Sequence, residues 1–263
     1  MADHSTVNGS EIPVYNLKCI DLANPDIHQS AAVLKQACME SGIFYVINHG
    51  LSEELMNEFF GQMKKFFALP MDEKKKLFWN QSLRGYRPPA QAVIDNKTQQ
   101  KDFGEAYHIG VDVAKDDPNC GKFFYGPNIW PPAAPPHCDL NFITLLATDE
   151  IWGLQICREK NAQPQLWEAI PPVKGAFIVN VGDMLEMLSN GAFRSILHRV
   201  VFGKERYSTG LFLCPSHDYV IECLPTCKSE DNPPKYPTIK TGDYILSRFR
   251  QLAADTVKDN KAV

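Results

Sequence analysis

The sequence predicts a mainly β fold, a barrel or jelly roll with flanking helices, preceded by an α/β N-terminal region. Three observations carry that prediction. Five short β-type runs (Phe142 to Leu146, Leu154 to Cys157, Ala176 to Val181, Ile196 to Phe202 and Thr209 to Leu213) alternate with turn residues, as in an all-β sandwich or barrel. Ahead of them, one helix-period stretch feeds a single apolar strand. Between the two parts the chain from Arg84 to Pro136 is rich in glycine and proline and ends in Trp130-Pro131-Pro132-Ala133-Ala134-Pro135-Pro136, a connector that supports neither helix nor central strand.

Taken in order, Val33, Leu34, Ala37 and Cys38 recur at helical spacing until Gly42, after which Ile43-Phe44-Tyr45-Val46-Ile47 reads as a buried strand. The Asn48-His49-Gly50 turn follows. Ser52 is then placed as an N-cap with Glu53 and Glu54 in the first turn, and Leu55, Phe59, Met63 and Phe67 make the strongest amphipathic stripe in the chain. Pro70 closes that helix, and Asp72-Glu73-Lys74-Lys75-Lys76 reads as the solvated face of a further short one. Residues from Tyr244 to Val257 return to helical spacing. The expected regions are an N-terminal one at 14–130, the barrel at 131–230 and a helical tail at 231–263, with no internal repeat.

A 263-residue chain with 44% hydrophobic and 22% charged residues can bury a substantial core. Its net charge of -4 and the lack of basic runs argue against a nucleic-acid or membrane-surface partner. MADHSTVNGS lacks the features of a secretory leader and no apolar run approaches a membrane span, so a cytoplasmic protein is expected. The eight cysteines are scattered, mostly in apolar runs such as Gln155-Ile156-Cys157 and Leu213-Cys214, and read as buried thiols. Cys223 and Cys227, without a second pair, make a weak zinc signal and are placed in a loop.

His137 and Asp139 stand at i and i+2, so on a strand they share a face and reach one metal ion together. A third ligand candidate, His198, lies in Ser195-Ile196-Leu197-His198-Arg199-Val200-Val201. Two imidazoles and one carboxylate leave three positions open on iron, as non-haem Fe(II) oxygenases require for O2 and a chelating co-substrate. Taken singly, each histidine is better explained by a loop or a satisfied core position. Arg206 and Ser208 shift the balance, because a guanidinium and a hydroxyl at i and i+2 can hold a carboxylate bidentately. His217, with Asp218 on the opposite strand face, is placed in a surface loop.

With those residues in view, the sequence resembles the plant soluble 2-oxoglutarate/Fe(II)-dependent dioxygenases, the isopenicillin N synthase-like family. Matching stretches are Gly42 to Gly50, Arg84-Gly85-Tyr86, Phe124-Tyr125-Gly126-Pro127-Asn128, Asn180-Val181-Gly182-Asp183 and Leu197-His198-Arg199-Val200. The resemblance implies a double-stranded β-helix of the jelly-roll kind, Fe(II) on His137, Asp139 and His198, and 2-oxoglutarate gripped by Arg206 and Ser208. It implies O2-dependent hydroxylation of a small organic molecule, with decarboxylation of 2-oxoglutarate to succinate. In this family the turn at His49 is structural, which leaves His49 outside the metal site.

The sequence departs from the family in two places. Only Pro131 to Pro136 separate the Tyr-Gly-Pro-Asn segment from His137, where relatives carry several tens of residues, so the barrel is expected to be incomplete. Asn141 stands where glycine is usual; it either crowds the face of His137 and Asp139 or sits at a bend. The shortened barrel leaves an alternative open, a catalytically impaired copy acting, if at all, as a binding or interaction protein. A cupin-like module holding another metal is opposed by Arg206 and Ser208.

Overall fold

The structure is a computed structural model that describes residues 6–7, 10–11, 13–79, 84–89, 93–95, 100–101, 104–110, 116–117, 141–201 and 205–248. In chain order it begins with strands β1 (Thr6–Val7), β2 (Ser10–Glu11) and β3 (Cys19–Asp21), helix α1 (Ile27–Glu40), strand β4 (Ile43–Ile47) and helices α2 (Glu53–Phe67) and α3 (Met71–Lys75). Four short strands follow: β5 (Gly85–Arg87), β6 (Val93–Asp95), β7 (Gln100–Lys101) and β8 (Ala106–His108). Next come β9 (Ile143–Thr148), β10 (Leu154–Cys157), β11 (Glu168–Ala169), β12 (Phe177–Val181), α4 (Asp183–Leu188), β13 (Leu197–Val200) and β14 (Ser208–Leu213). The last strands are β15 (Val220–Ile221) and β16 (Ile239–Lys240), after which residues 241–248 are helical.

Two compact units result, Met1–Phe60 with His137–Asp243 and Gly61–Pro136 with Tyr244–Val263. In the first, five strands form a sheet in the order β14-β9-β12-β4-β3, antiparallel except for β3 beside β4. A second sheet runs β11-β10-β13. One core fills the space between them: Ile43, Tyr45 and Ile178 from the large sheet meet Leu154, Ile156 and Ile196, with Val200 packed alongside. The opposite face of the large sheet carries Phe44, Val46, Val179 and Val181, which pack on Ala37 and Cys38 of α1. Buried on both faces, β4 has to be a continuous apolar run rather than an alternating one. That is what Ile43 to Ile47 displays. Sheet-on-sheet packing with a helix behind it is a jelly-roll sandwich, as expected.

Helix α1 starts on Asp26, whose side chain accepts from the Gln29 amide at 2.9 Å, and α2 starts on Ser52, whose hydroxyl accepts from the Leu55 amide at 3.2 Å. The α2 stripe is less buried than its periodicity predicts: Leu55 and Phe59 are exposed, and the helix has no fully buried residue.

In the second unit, the stretch from Arg84 read as an irregular connector contains two small antiparallel ladders, β5 with β8 and β6 with β7. The reason is local: Tyr86 is fully buried, with Phe66 edge-on to both Tyr86 and Tyr107. Lys74, expected on a solvated face, is also buried. Its ammonium donates to both Glu105 oxygens, at 2.8 and 2.6 Å, and to the Phe67 carbonyl at 2.8 Å, so all three of its protons have acceptors. Cys214, expected in a core, is exposed, because β14 ends the large sheet and Leu211, Phe212 and Leu213 are themselves exposed. Cys38, Cys157 and Cys223 are buried thiols as read. Among the described residues no helix is long and apolar enough to cross a membrane.

Candidate functional site

Strand β13 brings His198 opposite Ile156 of β10. Alternation puts His198 on the same side as Ile196 and Val200, both packed into the inter-sheet core. Arg199 takes the other side, where it donates to Gln155 at 2.8 Å and lies over the Trp167 ring at 4.0 Å. The imidazole therefore faces the interior. Its Nδ1 is 3.1 Å from the Ile196 carbonyl, which can only accept, so Nδ1 carries the proton and the lone pair falls on Nε2. A ligating histidine is held in this way, by a carbonyl that fixes its tautomer.

Ser208 opens β14 opposite Thr148, and Gly210 lies opposite Leu146, so Ser208 shares the inward face with Leu146 and Ile178. Arg206, two residues earlier, packs among Thr148, Ile151, Gly153, Leu154, Ile170, Pro172 and Ile178 at a shallow recess between the sheets. Its Nη1 donates to the Ser208 hydroxyl at 3.0 Å and its Nε to the Ile151 carbonyl at 3.3 Å. The two Nη2 protons have no acceptor among the described residues, and the Ser208 proton remains to be donated. Burial pulls Arg206 below its ordinary pKa, and the negative charge of Asp149 opposes that fall. Gly153 makes the approach possible, since a Cβ there would stand 3.2 Å from Arg206 Cδ and 3.0 Å from the Val201 carbonyl. A cation with spare donors thus stands beside an apolar lining, the pairing of groups that recognises a carboxylate on a short methylene chain.

Of the five residues read as site residues, His198, Arg206 and Ser208 are brought to inward faces of the same sandwich. His137 and Asp139 lie outside the described residues. Among the described residues no three His, Cys, Asp or Glu side chains cluster as a metal site elsewhere. With its Nε2 lone pair and inward aspect, His198 fits a first-row metal, and Arg206 with Ser208 fits a keto diacid.

Asn141 resolves to the bend reading. Its amide donates to the Ile143 carbonyl at 3.1 Å and to the Thr144 hydroxyl at 3.0 Å, and its carbonyl accepts from Met184 at 3.2 Å. Gly182 leaves it room, because a Cβ there would lie 2.2 Å from the Asn141 carbonyl oxygen. His49 is structural: Nε2 donates to Gly175 at 3.0 Å, Nδ1 accepts from Leu51 at 3.3 Å, and the ring packs 4.4 Å from Phe177. His217 sits in a turn, as placed from alternation, although it is partly buried. Asp149 and Gly153, which shape the Arg206 recess, were not legible as site residues: their partners lie some fifty residues away, and nothing local marks them except a turn.

A jelly-roll sandwich with an inward imidazole and an inward arginine–serine pair defines a class, the metal-dependent oxygenases that use a keto acid. Residues 12–133 match the family described as non-haem dioxygenase in morphine synthesis, N-terminal, and residues 117–215 match the 2OG-Fe(II) oxygenase superfamily. The chain is 78% identical over 334 residues to kihadalactone A synthase LFS of Citrus sinensis, covering all of both chains, and 58% identical over 328 residues to azadirone synthase LFS of Melia azedarach, covering 98% of this chain and 99% of the relative. Its fold matches that of a full-length Neurospora crassa protein solved in complex with alpha-KG, with a TM-score of 0.72 at 22% identity over 97% of this chain and 99% of the other. The chain belongs to the 2OG-Fe(II) oxygenase superfamily: it is a plant-type dioxygenase that takes Fe(II) as cofactor and 2-oxoglutarate and O2 as co-substrates to oxidise a small organic molecule. These matches favour the enzyme over an impaired copy.

The chain is shorter than this relative within the matched length. An alignment of 334 positions exceeds the 263 residues of the chain by 71, so at least that many positions of the Citrus relative face no residue here. Because 263 is 79% of 334, an identity of 78% leaves almost every residue of this chain identical to its counterpart.

Proposed function

We propose that Fe(II) is held by His137, Asp139 and His198, that Arg206 and Ser208 grip the distal carboxylate of 2-oxoglutarate, and that the product is the one named for the Citrus relative, kihadalactone A. The observation that carries the site is the Arg206–Ser208 pair on a recess between the sheets, on the same inward faces as His198. When bound, iron with O2 supplies the oxidative decarboxylation of the keto acid and the oxidation of a substrate C–H bond. The chain supplies the rest. Arg206 offers two spare Nη2 protons and Ser208 one, enough for both oxygens of a carboxylate. Ile151, Leu154, Ile170 and Ile178 exclude water around the methylene chain and strengthen those bonds. The Ile196 carbonyl holds the His198 ring so that Nε2 remains the ligand atom. For the product, support comes from the near-identity of every residue present to the Citrus enzyme.

Anaerobic addition of Fe(II) and then 2-oxoglutarate, followed by visible absorption, tests the site. The charge-transfer band of a chelated keto acid is expected in the unaltered protein and lost in His137→Ala and His198→Ala. Arg206→Ala is expected to need more than about tenfold more 2-oxoglutarate, the size of one charge-assisted hydrogen bond. A folded protein without the band overturns the assignment. Formation of kihadalactone A rather than azadirone, from the precursors that the two relatives convert, tests the product.

A further inference from the structure

Asp149 follows β9 directly and ties together the two segments that meet at Arg206. Its Oδ2 accepts from the Tyr207 amide at 2.9 Å, while its own amide donates to the Tyr207 carbonyl at 3.0 Å, so both backbone groups of the residue between Arg206 and Ser208 are fixed by one side chain and its backbone. Its Oδ1 accepts from the Ile151 amide at 3.1 Å, and the Ile151 carbonyl is the acceptor of Arg206 Nε. A turn-stabilising aspartate needs only the second of these, two residues along the chain. The bond to Tyr207 spans 58 residues and has no role in the turn. The same carboxylate opposes the fall that burial imposes on the guanidinium's pKa.

We propose that Asp149 is the positioning residue of the carboxylate clamp: it sets the orientation of the Arg206 guanidinium through Ile151 and Tyr207, and thereby the preference for a keto acid bearing a distal carboxylate over one without. The inference rests on the assignment of Arg206 and Ser208 above. A purely structural Asp149 predicts something different, an equal loss for every keto acid, because the chelating end of the molecule is common to all of them.

Equilibrium binding to the iron-loaded protein under nitrogen, measured by calorimetry with 2-oxoglutarate and with pyruvate, separates the two. In Asp149→Ala the affinity for 2-oxoglutarate falls by about tenfold or more, the size of one charge-assisted hydrogen bond, while that for pyruvate is unchanged. The preference between them collapses accordingly. Asp149→Asn, which keeps the shape and one acceptor, gives the same change in smaller measure and guards against a variant that fails to fold. Equal weakening of both keto acids, or no change in either, overturns the proposal. Arg206→Ala is the control: if it retains the full preference for 2-oxoglutarate, the clamp assignment itself is wrong, whereas lost preference in Arg206→Ala with full preference in both Asp149 variants removes only the role of Asp149.

Discussion

Asn190 is 2% exposed and sits in the left-handed region at φ 54°. Its amide reaches the carbonyls of Cys227 at 3.2 Å, Asn232 at 3.4 Å and Pro233 at 3.1 Å, and its oxygen accepts from Lys235 at 2.8 Å. Asn190→Ala leaves the Pro233 carbonyl and the Lys235 amide unmet, takes one of two donors from the Cys227 and Asn232 carbonyls, and adds left-handed strain, so a loss of about 2–4 kcal/mol is expected in urea unfolding, and Asn190→Gly, free of the strain, loses less. The loop that Asn190 holds lies some forty residues on, where no local pattern points back to it. A second set of residues governs alkaline stability. Burial raises the Cys38 thiol from 9.0 to about 11, and burial is the first cause that raises the Tyr45 and Tyr236 hydroxyls from 10.0 to about 12. Each group holds its proton longer folded than unfolded, so the stability that they lend is complete below pH 9 and is lost as pH rises from 9 to 12. Urea midpoints measured across that window should fall, and fall less steeply in Tyr45→Phe; a flat profile would rule these groups out as a source of stability.

Helix α3 shows what charge order can and cannot reveal. Acidic residues ahead of basic ones mark its dipole correctly, yet the pattern does not distinguish Lys74 from its neighbours, since a five-residue helix carries no periodicity by which to choose a buried side. Glu105, thirty-one residues later, supplies two of the three acceptors that make Lys74 an interior group, and the Phe67 carbonyl the third. The two partners are unequally buried, with side chains 5% and 22% exposed. Removing the carboxylate strands an ammonium inside the unit, whereas removing the ammonium leaves a carboxylate with some access to water. Glu105→Gln is therefore expected to cost about 3 kcal/mol and Lys74→Met clearly less, read from thermal or urea unfolding of the two variants side by side. Equal losses would mean that packing, not charge, dominates there. Elements with several turns or a whole strand of apolar residues, α1, β4, β9 and β12, were legible because their periods are long enough to read. The two-residue strands β11, β15 and β16 were not, since pairing with distant partners is all that defines them.

At the scale of the whole molecule the sheet order matters most. Sequence periodicity identifies the strands of the jelly roll but not which of them is last, and the described sheet ends on β14, the strand that also carries Ser208. Both faces of its second half lack cover: Leu211 is 58% exposed on one side and Phe212 55% on the other. Residues 208–213 contain no charge and no proline, the features that natural edge strands use to resist pairing with other chains. At least 71 positions of the Citrus relative have no counterpart here. An edge strand with two uncovered faces is what remains when a neighbouring strand and a backing layer are taken away together. Restoring the relative's extra segment at Pro131–Pro136 should therefore slow amide exchange at Gly210 and Phe212, whose amides point away from β9, lower the fluorescence of a bound apolar dye and raise the unfolding temperature. In the unaltered chain, Leu211→Lys should suppress concentration-dependent light scattering without lowering stability by more than about 0.5 kcal/mol, since the side chain is exposed. If the unfolding temperature rises on restoration while the Gly210 and Phe212 amides still exchange freely, the segment stabilises some other surface, and β14 is an edge in the full-length relatives as well.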